Sequence, residues 1–227
     1  MDRFVTRCAR RAAAAAMSFF LVSMLTGCIQ QWAMVMLVLN GGNDVDAEYT
    51  AHDGLGGKRV AVVCRRTDAS GWQQGDASSE LAKRVGMLLK KNIRHIKIVN
   101  PDKVAEWTDE QSLETYAEIG EALKADVVIG IDLAGYQVKD RRNRGLLQGK
   151  AMITLKVYDL VDGDGEVTWE KQLPESTYPA TTPISDLDKP ERTFRQEFTT
   201  VLAGQISRHF YDHNSTDHFA QGGGISQ

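Results

Sequence analysis

Two short apolar runs constrain the fold of this chain more than any other feature. They occupy residues 58–65 and 126–133, and both are rich in β-branched side chains. Continuous apolar runs of this length, without polar alternation, are typical of strands that are covered on both faces. We therefore expect a sheet with a layer of helices on each side.

Helical patterns separate the two runs. From Ser78, apolar residues recur with the spacing that places them on one face of a helix. The residues of this face are Leu81, Val85, Leu88 and Leu89. A short strand is predicted over 96–99, and a second helix is predicted to begin at a capping box formed by Thr108 and Gln111. Strands that alternate with helices in this way imply right-handed crossovers and a parallel core.

The pattern changes after Tyr136. Extended runs over 148–160 and 165–173 are joined by an Asp-Gly-Asp-Gly turn at 162–165, which predicts a hairpin. The second run alternates polar and apolar residues, as antiparallel edge strands do. A proline-rich loop follows over 174–190.

A last helix is predicted before residue 210. Its apolar stripe consists of Phe194, Phe198, Val201, Leu202, Ile206 and Phe210. The predicted fold class is α/β: a single three-layer domain over 58–210, with a mixed sheet of about five strands flanked by helices. The sheet has a parallel core and an antiparallel C-terminal hairpin. Residues 211–227 are polar and Gly-rich, which predicts a disordered tail.

The start of the chain has the composition of a bacterial secretory signal. Arginines precede an apolar run over 12–25, and the sequence Leu25-Thr26-Gly27-Cys28 follows. This tetrapeptide resembles the lipobox of bacterial lipoproteins, whose cysteine is lipidated as the signal is removed. The resemblance implies a signal peptide over 1–27 and a membrane lipid anchor on Cys28, with the protein facing the periplasm. In such lipoproteins an Asp after the cysteine retains the chain in the inner membrane; Ile29 stands here and favours the outer membrane.

The alternative is one transmembrane helix over 12–39. It would place polar residues between Thr26 and Gln31 in the middle of the membrane, where they are costly. In the lipoprotein interpretation, residues 28–57 comprise the lipidated cysteine, an apolar membrane-proximal segment and a flexible tether from residue 40 onward.

Charge and cysteine content argue against two further classes of protein, nucleic-acid binders and domains stabilised by disulfides. Residues 1–27 hold four of the 27 basic and one of the 30 acidic residues, so the mature chain has a net charge of about −6. This sign disfavours nucleic acid as a partner. Once Cys8 is removed and Cys28 lipidated, Cys64 has no disulfide partner, and we expect it to be a small buried hydrophobe.

Segments of the domain resemble a known group of envelope proteins. Residues 58–62, 78–82 and 125–130 are similar in order and pattern to the α/β domain of curli-secretion lipoproteins and of lipoproteins that activate penicillin-binding proteins. They are also similar to the amino-terminal domain of the Tol-system translocation protein. Residues 157–162 and 166–169 match the strand, Asp-containing turn and Trp-ended strand of that group.

The resemblance covers about residues 58–210 and brings no catalytic residue. It implies a role in envelope assembly through recognition. The secretion channels carry long insertions that build a membrane barrel, whereas the connection from Val138 to Gln148 is short, which argues against a pore.

One edge of the predicted sheet is the candidate partner-binding site. Parallel strands place their carboxyl ends together, and open α/β folds bind ligands there. The residues expected at this edge are Arg65, Arg66, Trp72, Lys139, Arg141, Arg142 and Arg144. Arginine forks and an aromatic ring suit anionic or peptide partners. The alternative is a solvated charged rim with Trp72 packed inward.

No catalytic residue, cofactor or metal site is predicted. His209 and His213 have a spacing that a metal could use, but a frayed helix end explains it better. The Gly-rich stretch at 54–58 precedes its strand, which excludes a phosphate-binding loop.

The sequence therefore predicts a cell-envelope lipoprotein that is not an enzyme. We expect it to act as a binding or assembly module for a protein or an envelope polymer. The alternatives are a subunit of a secretion complex, a membrane-tethered sensor of a small ligand, and an unrecognised hydrolase.

Overall fold

The computed structural model of the chain describes most of the predicted domain. The described residues are 44–49, 54–67, 77–110, 115–140, 143, 145–161 and 165–214. Those from Val45 onward belong to a single unit. The predicted signal peptide, Cys28 and residues 215–227 of the predicted tail lie outside the described residues. Residues 211–214 of that tail are described, and His213–Asn214 form a short strand where disorder was expected.

The described part of the chain contains the following strands and helices. The strands are β1 (Asp44–Val45), β2 (Arg59–Arg66), β3 (Lys97–Ile98), β4 (Val127–Lys139), β5 (Leu146–Asp159), β6 (Val167–Gln172), β7 (Ser176–Tyr178), β8 (Ile184–Ser185) and β9 (His213–Asn214). The helices are α1 (Ala77–Asn92), α2 (Pro101–Glu110), α3 (Tyr116–Ala122) and α4 (Glu191–Ser207), and a 3-10 turn over Arg208–Phe210 follows α4. None of these described helices is long and apolar enough to cross a membrane.

The main sheet is mixed, with the order β3-β2-β4-β5-β6. Strand β2 is parallel to β3 and β4, whereas β5 is antiparallel to both β4 and β6. The short strands β7 and β8 pair with the first part of β5. The predicted α/β fold, with its parallel core and antiparallel C-terminal hairpin, is confirmed.

Helices cover both faces of the sheet, as the two apolar runs predict. The larger core lies between the sheet and the pair α1 and α4, and it includes Leu81, Leu89, Phe198 and Leu202. The smaller core lies on the other face, where α2 and α3 pack against β2 and β4. Because successive strand residues point to opposite faces, the apolar run of β4 supplies side chains to both cores.

One helix that the sequence pattern did not predict, α2, lies between β3 and the predicted second helix. Helix α2 starts at Pro101, which suits a first helical position because it lacks the N–H that would have no partner there. The Asn100 Oδ1 atom accepts a hydrogen bond from the Asp102 N–H group at 2.9 Å. Asn100 and Pro101 thus lie directly between β3 and α2, where they prevent the strand from continuing and start the helix.

The predicted capping box at Thr108 is wrong. The Thr108 hydroxyl donates to the Ala105 carbonyl at 2.8 Å, inside α2. The residue that caps the next helix is Thr115, whose Oγ1 accepts from the Glu118 N–H group at 3.4 Å. Gln111, the other member of the predicted box, lies outside the described residues.

Two residues of the predicted tether are part of the core. Tyr49 and Leu55 are both buried. The Tyr49 N–H group donates to the His209 carbonyl at 2.9 Å, and its ring lies 5.9 Å from Trp169 and 5.8 Å from Phe210, between centroids. Three rings that bury one another outweigh the polar and Gly-rich composition around Tyr49.

Candidate functional site

One face of the sheet is only partly covered by the described helices. Coverage by α2 and α3 ends at Tyr116, whose ring packs so closely on Gly130 that an added Cβ there would lie 2.8 Å from it. Farther along the strands this face changes from apolar to polar. We define the open face by the residues that continue it: Arg65, Asp132, Met152, Thr154, Lys156 and Glu170.

Asp132 is the centre of the open face. It is only 9% exposed, and its Oδ1 accepts hydrogen bonds from Arg65 Nε at 2.6 Å and from the Tyr116 hydroxyl at 2.7 Å. Its Oδ2 lies 3.1 Å from Lys156 Nζ. Burial raises the pKa of Asp132, but these three donors outweigh burial and leave the pKa below its ordinary value.

Two aromatic rings form the wall between Asp132 and the smaller core. The Arg65 guanidinium lies 4.7 Å from the centroid of the Tyr116 ring, a cation–π distance. The Tyr158 ring lies 5.7 Å from the same ring. Burial raises the pKa of Tyr116, so its hydroxyl remains a donor to the carboxylate at neutral pH.

The charges of the open face are accessible from solvent. Arg65 and Lys156 are partly exposed, and Lys156 Nζ is also 3.9 Å from the exposed Glu170 carboxylate. Both cations thus share the buried Asp132 carboxylate, and Lys156 also contacts the exposed Glu170 carboxylate. A partner carboxylate that displaces Glu170 would meet Lys156, which Asp132 already holds in position.

A groove continues the open face. It has a volume of about 320 Å³ and is lined by Gly135, Gln137, Lys150, Ala151, Met152 and Glu175. Gly135 has a left-handed backbone (φ 60°) at a break in the register between β4 and β5. This bulge shapes the groove, and Met152 beside it is 44% exposed. An apolar contact therefore adjoins the charged part of the open face.

Two other side chains of reactive types, Cys64 and His209, lie apart from the open face. Burial raises the pKa of the Cys64 thiol to about 12, so it is not a thiolate nucleophile at neutral pH. The described residues also contain no group of three or more His, Cys, Asp and Glu side chains placed to hold a metal ion. His209 instead contacts Glu48, with 3.2 Å between Nδ1 and Oε2.

The predicted partner-binding residues occupy different parts of the sheet. Arg65 joins the Asp132 network, while Arg66 points to the other face, 5.7 Å from the Tyr136 ring centroid. Strand β4 continues six residues past Leu133, the register partner of Arg66, so Lys139 lies about 20 Å farther along it. Lys139 Nζ is 3.1 Å from Glu191 Oε2 there. The remaining candidates, Trp72, Arg141, Arg142 and Arg144, lie outside the described residues.

Sequence reasoning missed Asp132, Tyr116 and Lys156. The available signal was Asp132 itself, an ionisable residue inside the apolar run 126–133. Such a residue needs partners when it is buried, and a search for cations on neighbouring strands would have indicated Arg65.

A separate cavity of about 240 Å³ lies between the segment 45–48, β6 and the end of α4. It is smaller than the range of about 300–1,000 Å³ that is typical of small-molecule sites. Burial lowers the pKa of His209 on its wall, although the Glu48 carboxylate acts to raise it.

Comparisons with known proteins give similar structures at low sequence identity. No protein-family model matches this sequence, and no curated protein matches it. The PelC dodecamer from Paraburkholderia phytofirmans has a TM-score of 0.41 and 14% identity, and the match covers 74% of this chain and 96% of that one. Lipoprotein GNA1162 from Neisseria meningitidis has a TM-score of 0.39 and 10% identity, with 66% and 98% covered. The LpoB C-terminal domain from Salmonella enterica has a TM-score of 0.35 and 13% identity, with 54% and 85% covered.

Proposed function

We propose that this chain is a cell-envelope lipoprotein that acts as a non-catalytic binding or assembly module. A lipid on Cys28 would anchor it to the outer membrane, facing the periplasm. The observation that carries the proposal is the open face, where Arg65 and Lys156 are held in place by Asp132 beside a groove with an exposed methionine.

The chemistry of the open face favours a protein or an envelope polymer that carries carboxylates. Its cations are fixed by a buried partner, so little side-chain entropy is lost when they meet an acidic group. The exposed Met152 adds apolar area, which adapts to a partner because methionine is flexible. The sequence candidates Trp72, Arg141, Arg142 and Arg144 would extend this surface from the neighbouring loops, whereas Arg66 contacts Tyr136 on the other face and Lys139 pairs with Glu191.

The anchor can be tested at one residue. In the Cys28→Ser variant, lipid labelling should be lost, and the chain should either be released from the membrane or accumulate as a precursor. Metabolic labelling with an alkyne fatty acid and membrane fractionation measure both effects. Wild-type protein that sits in membranes with residues 1–27 attached and no acyl chain would contradict the anchor.

The open face can be tested with two exposed methionines on opposite sides of the sheet. Met152 lies on the open face, and Met87 lies on α1 and is 54% exposed. A photo-crosslinking amino acid at position 152 should give a discrete adduct in cells, whereas the same amino acid at position 87 should not. Adding Trp72→Ala should weaken the adduct about fivefold, as expected when an aromatic anchor worth about 1 kcal/mol is lost.

The comparison of the two positions controls for exposure, because both side chains are open to a probe to a similar degree. Equal adducts at 87 and 152 would indicate non-specific capture and refute the open face. An adduct at position 152 that Trp72→Ala leaves unchanged would support the open face as a binding surface and would show that Trp72 is not part of it.

A further inference from the structure

Exposed cations are concentrated at one end of the domain, although the mature chain is acidic overall. The strands β2, β3 and β4 are parallel, so their first residues share one edge of the sheet, and α1 and α3 end at the same edge. We define the basic end by the exposed basic residues located there: Arg59, Lys90, Lys91, Arg94, His95, Lys97 and Lys124.

Backbone contacts bring these residues together. Arg59 and Lys97 are register partners at the starts of β2 and β3. The Asp126 N–H group donates to the Arg59 carbonyl at 2.7 Å, which places the turn at Lys124 beside β2. Lys90, Lys91, Arg94 and His95 belong to the last turn of α1 and the turn that leads into β3. The basic end is therefore one continuous surface.

The nearby carboxylates have other partners. The Asp126 side chain accepts a hydrogen bond from the Arg59 N–H group at 2.7 Å, and Asp159 pairs with Lys58 at 2.9 Å. Across the described residues, no salt bridge links a cation of the basic end to an acidic side chain. Exposed carboxylates at this edge include Glu121, at the end of α3, and Glu166, in the turn between β5 and β6, but the exposed basic residues outnumber them.

The described segment just before β2 passes along this same end. Leu55 is buried there, and the Lys97 N–H group donates to the Lys58 carbonyl at 3.0 Å. An added Cβ at Gly56 would lie 3.4 Å from the Arg94 carbonyl oxygen, so the segment before β2 runs along the basic end. Cys28 lies 28 residues before Gly56 in the sequence. A lipid on Cys28 would tether the membrane to the segment that runs along the basic end.

We propose that the basic end binds the anionic headgroups of phospholipids in the anchoring membrane. This inference rests on the proposed lipid anchor, which holds the domain close to the bilayer. Basic residues at an anionic surface each strengthen binding about fivefold, over distances limited by the Debye length. The anchor would keep the domain near the membrane. The basic end would orient the domain so that the first residues of β2 and β3 face the membrane.

The test measures vesicle binding without the anchor. The full chain carrying Cys28→Ser is mixed with vesicles of phosphatidylcholine alone or of an equal mixture of phosphatidylcholine and phosphatidylglycerol. The apolar N-terminal segment contributes to binding of both kinds of vesicle. The ratio of the two partition constants therefore isolates the electrostatic contribution to vesicle binding. In this background we compare the triple change Lys90→Gln, Lys91→Gln and Arg94→Gln with the matched change Lys83→Gln, Lys103→Gln and Arg192→Gln.

The matched change removes the same charge from exposed positions outside the basic end. We expect the first triple change to lower the ratio by at least about tenfold, the matched change to alter it by less than about twofold, and high salt to abolish the difference. Circular dichroism melting verifies that each variant is folded.

Equal ratios for the two triple variants would overturn the proposal. A parent chain that binds both kinds of vesicle equally would also overturn the proposal. It would indicate instead that the binding partner of the basic end is an acidic protein. The vesicle experiment contains no acylated protein. Its result therefore does not depend on whether the lipid-labelling test at Cys28 succeeds or fails.

Discussion

Replacing Val128 with Asp is expected to unfold the domain. Val128 is 0% exposed near the start of β4, the central strand of the main sheet, and lies within the smaller core. An added Cβ at Gly120 of α3 would lie 2.4 Å from the Val128 side chain, so the site has no room for water. An unpaired carboxylate there costs about 5 kcal/mol, which is comparable to the total stability of a typical domain.

The same substitution at Val167 is the matched control. Val167 is 42% exposed on the edge strand β6, so Val167→Asp should change the free energy of unfolding by less than about 1 kcal/mol. Urea titration followed by circular dichroism measures both variants. A Val128→Asp protein that remains soluble and melts cooperatively near the wild-type temperature would show that β4 is not the central strand.

The second large effect is expected at Asp132. The Asp132→Ala variant leaves Arg65, Lys156 and the Tyr116 hydroxyl without their shared acceptor, and we expect a loss of about 3 kcal/mol. Because the pKa of Asp132 is lowered in the folded state, its stabilisation is present above its ordinary pKa and is lost as the pH falls through the folded value. Stability of the variant should consequently fall less steeply on acidification.

Glu170→Ala is the control for Asp132. Glu170 is exposed and its carboxylate is 3.9 Å from the same lysine, so its removal should cost less than about 0.5 kcal/mol. Urea titrations between neutral and acidic pH compare the two variants. Equal losses for Asp132→Ala and Glu170→Ala would contradict the role of Asp132 as the buried acceptor.

The partners of Asp132 show why the site was not predictable in full. Arg65 reaches it from β2, Lys156 from β5 and Tyr116 from the start of α3. Which of these residues share a face depends on strand register, and a shift of one residue would move each side chain to the opposite face. No local pattern in the sequence specifies that register.

Competition between local sequence preferences and tertiary packing explains the other differences between the predicted and the observed structure. Thr108 and Thr115 both have the chemistry of a helix cap, and Thr115 directly precedes Tyr116, which is buried in the core. Tyr49 lies in a stretch whose composition favours a tether, yet Trp169 and Phe210 provide an aromatic site for its ring. In both cases packing against distant residues outweighs a preference that is worth about 1 kcal/mol.

The sequence by itself determined the α/β class, the double-sided burial of β2 and β4, and the helical faces of α1 and α4, because each of these follows from the periodicity of apolar residues within one segment. The tertiary structure alone decided that Arg65 would share Asp132 with Lys156, and that the first residues of β2 and β3 would meet the end of α1 in one basic surface. Both depend on free energies of contact between segments that are far apart in the chain, and these become defined only when the strands have paired.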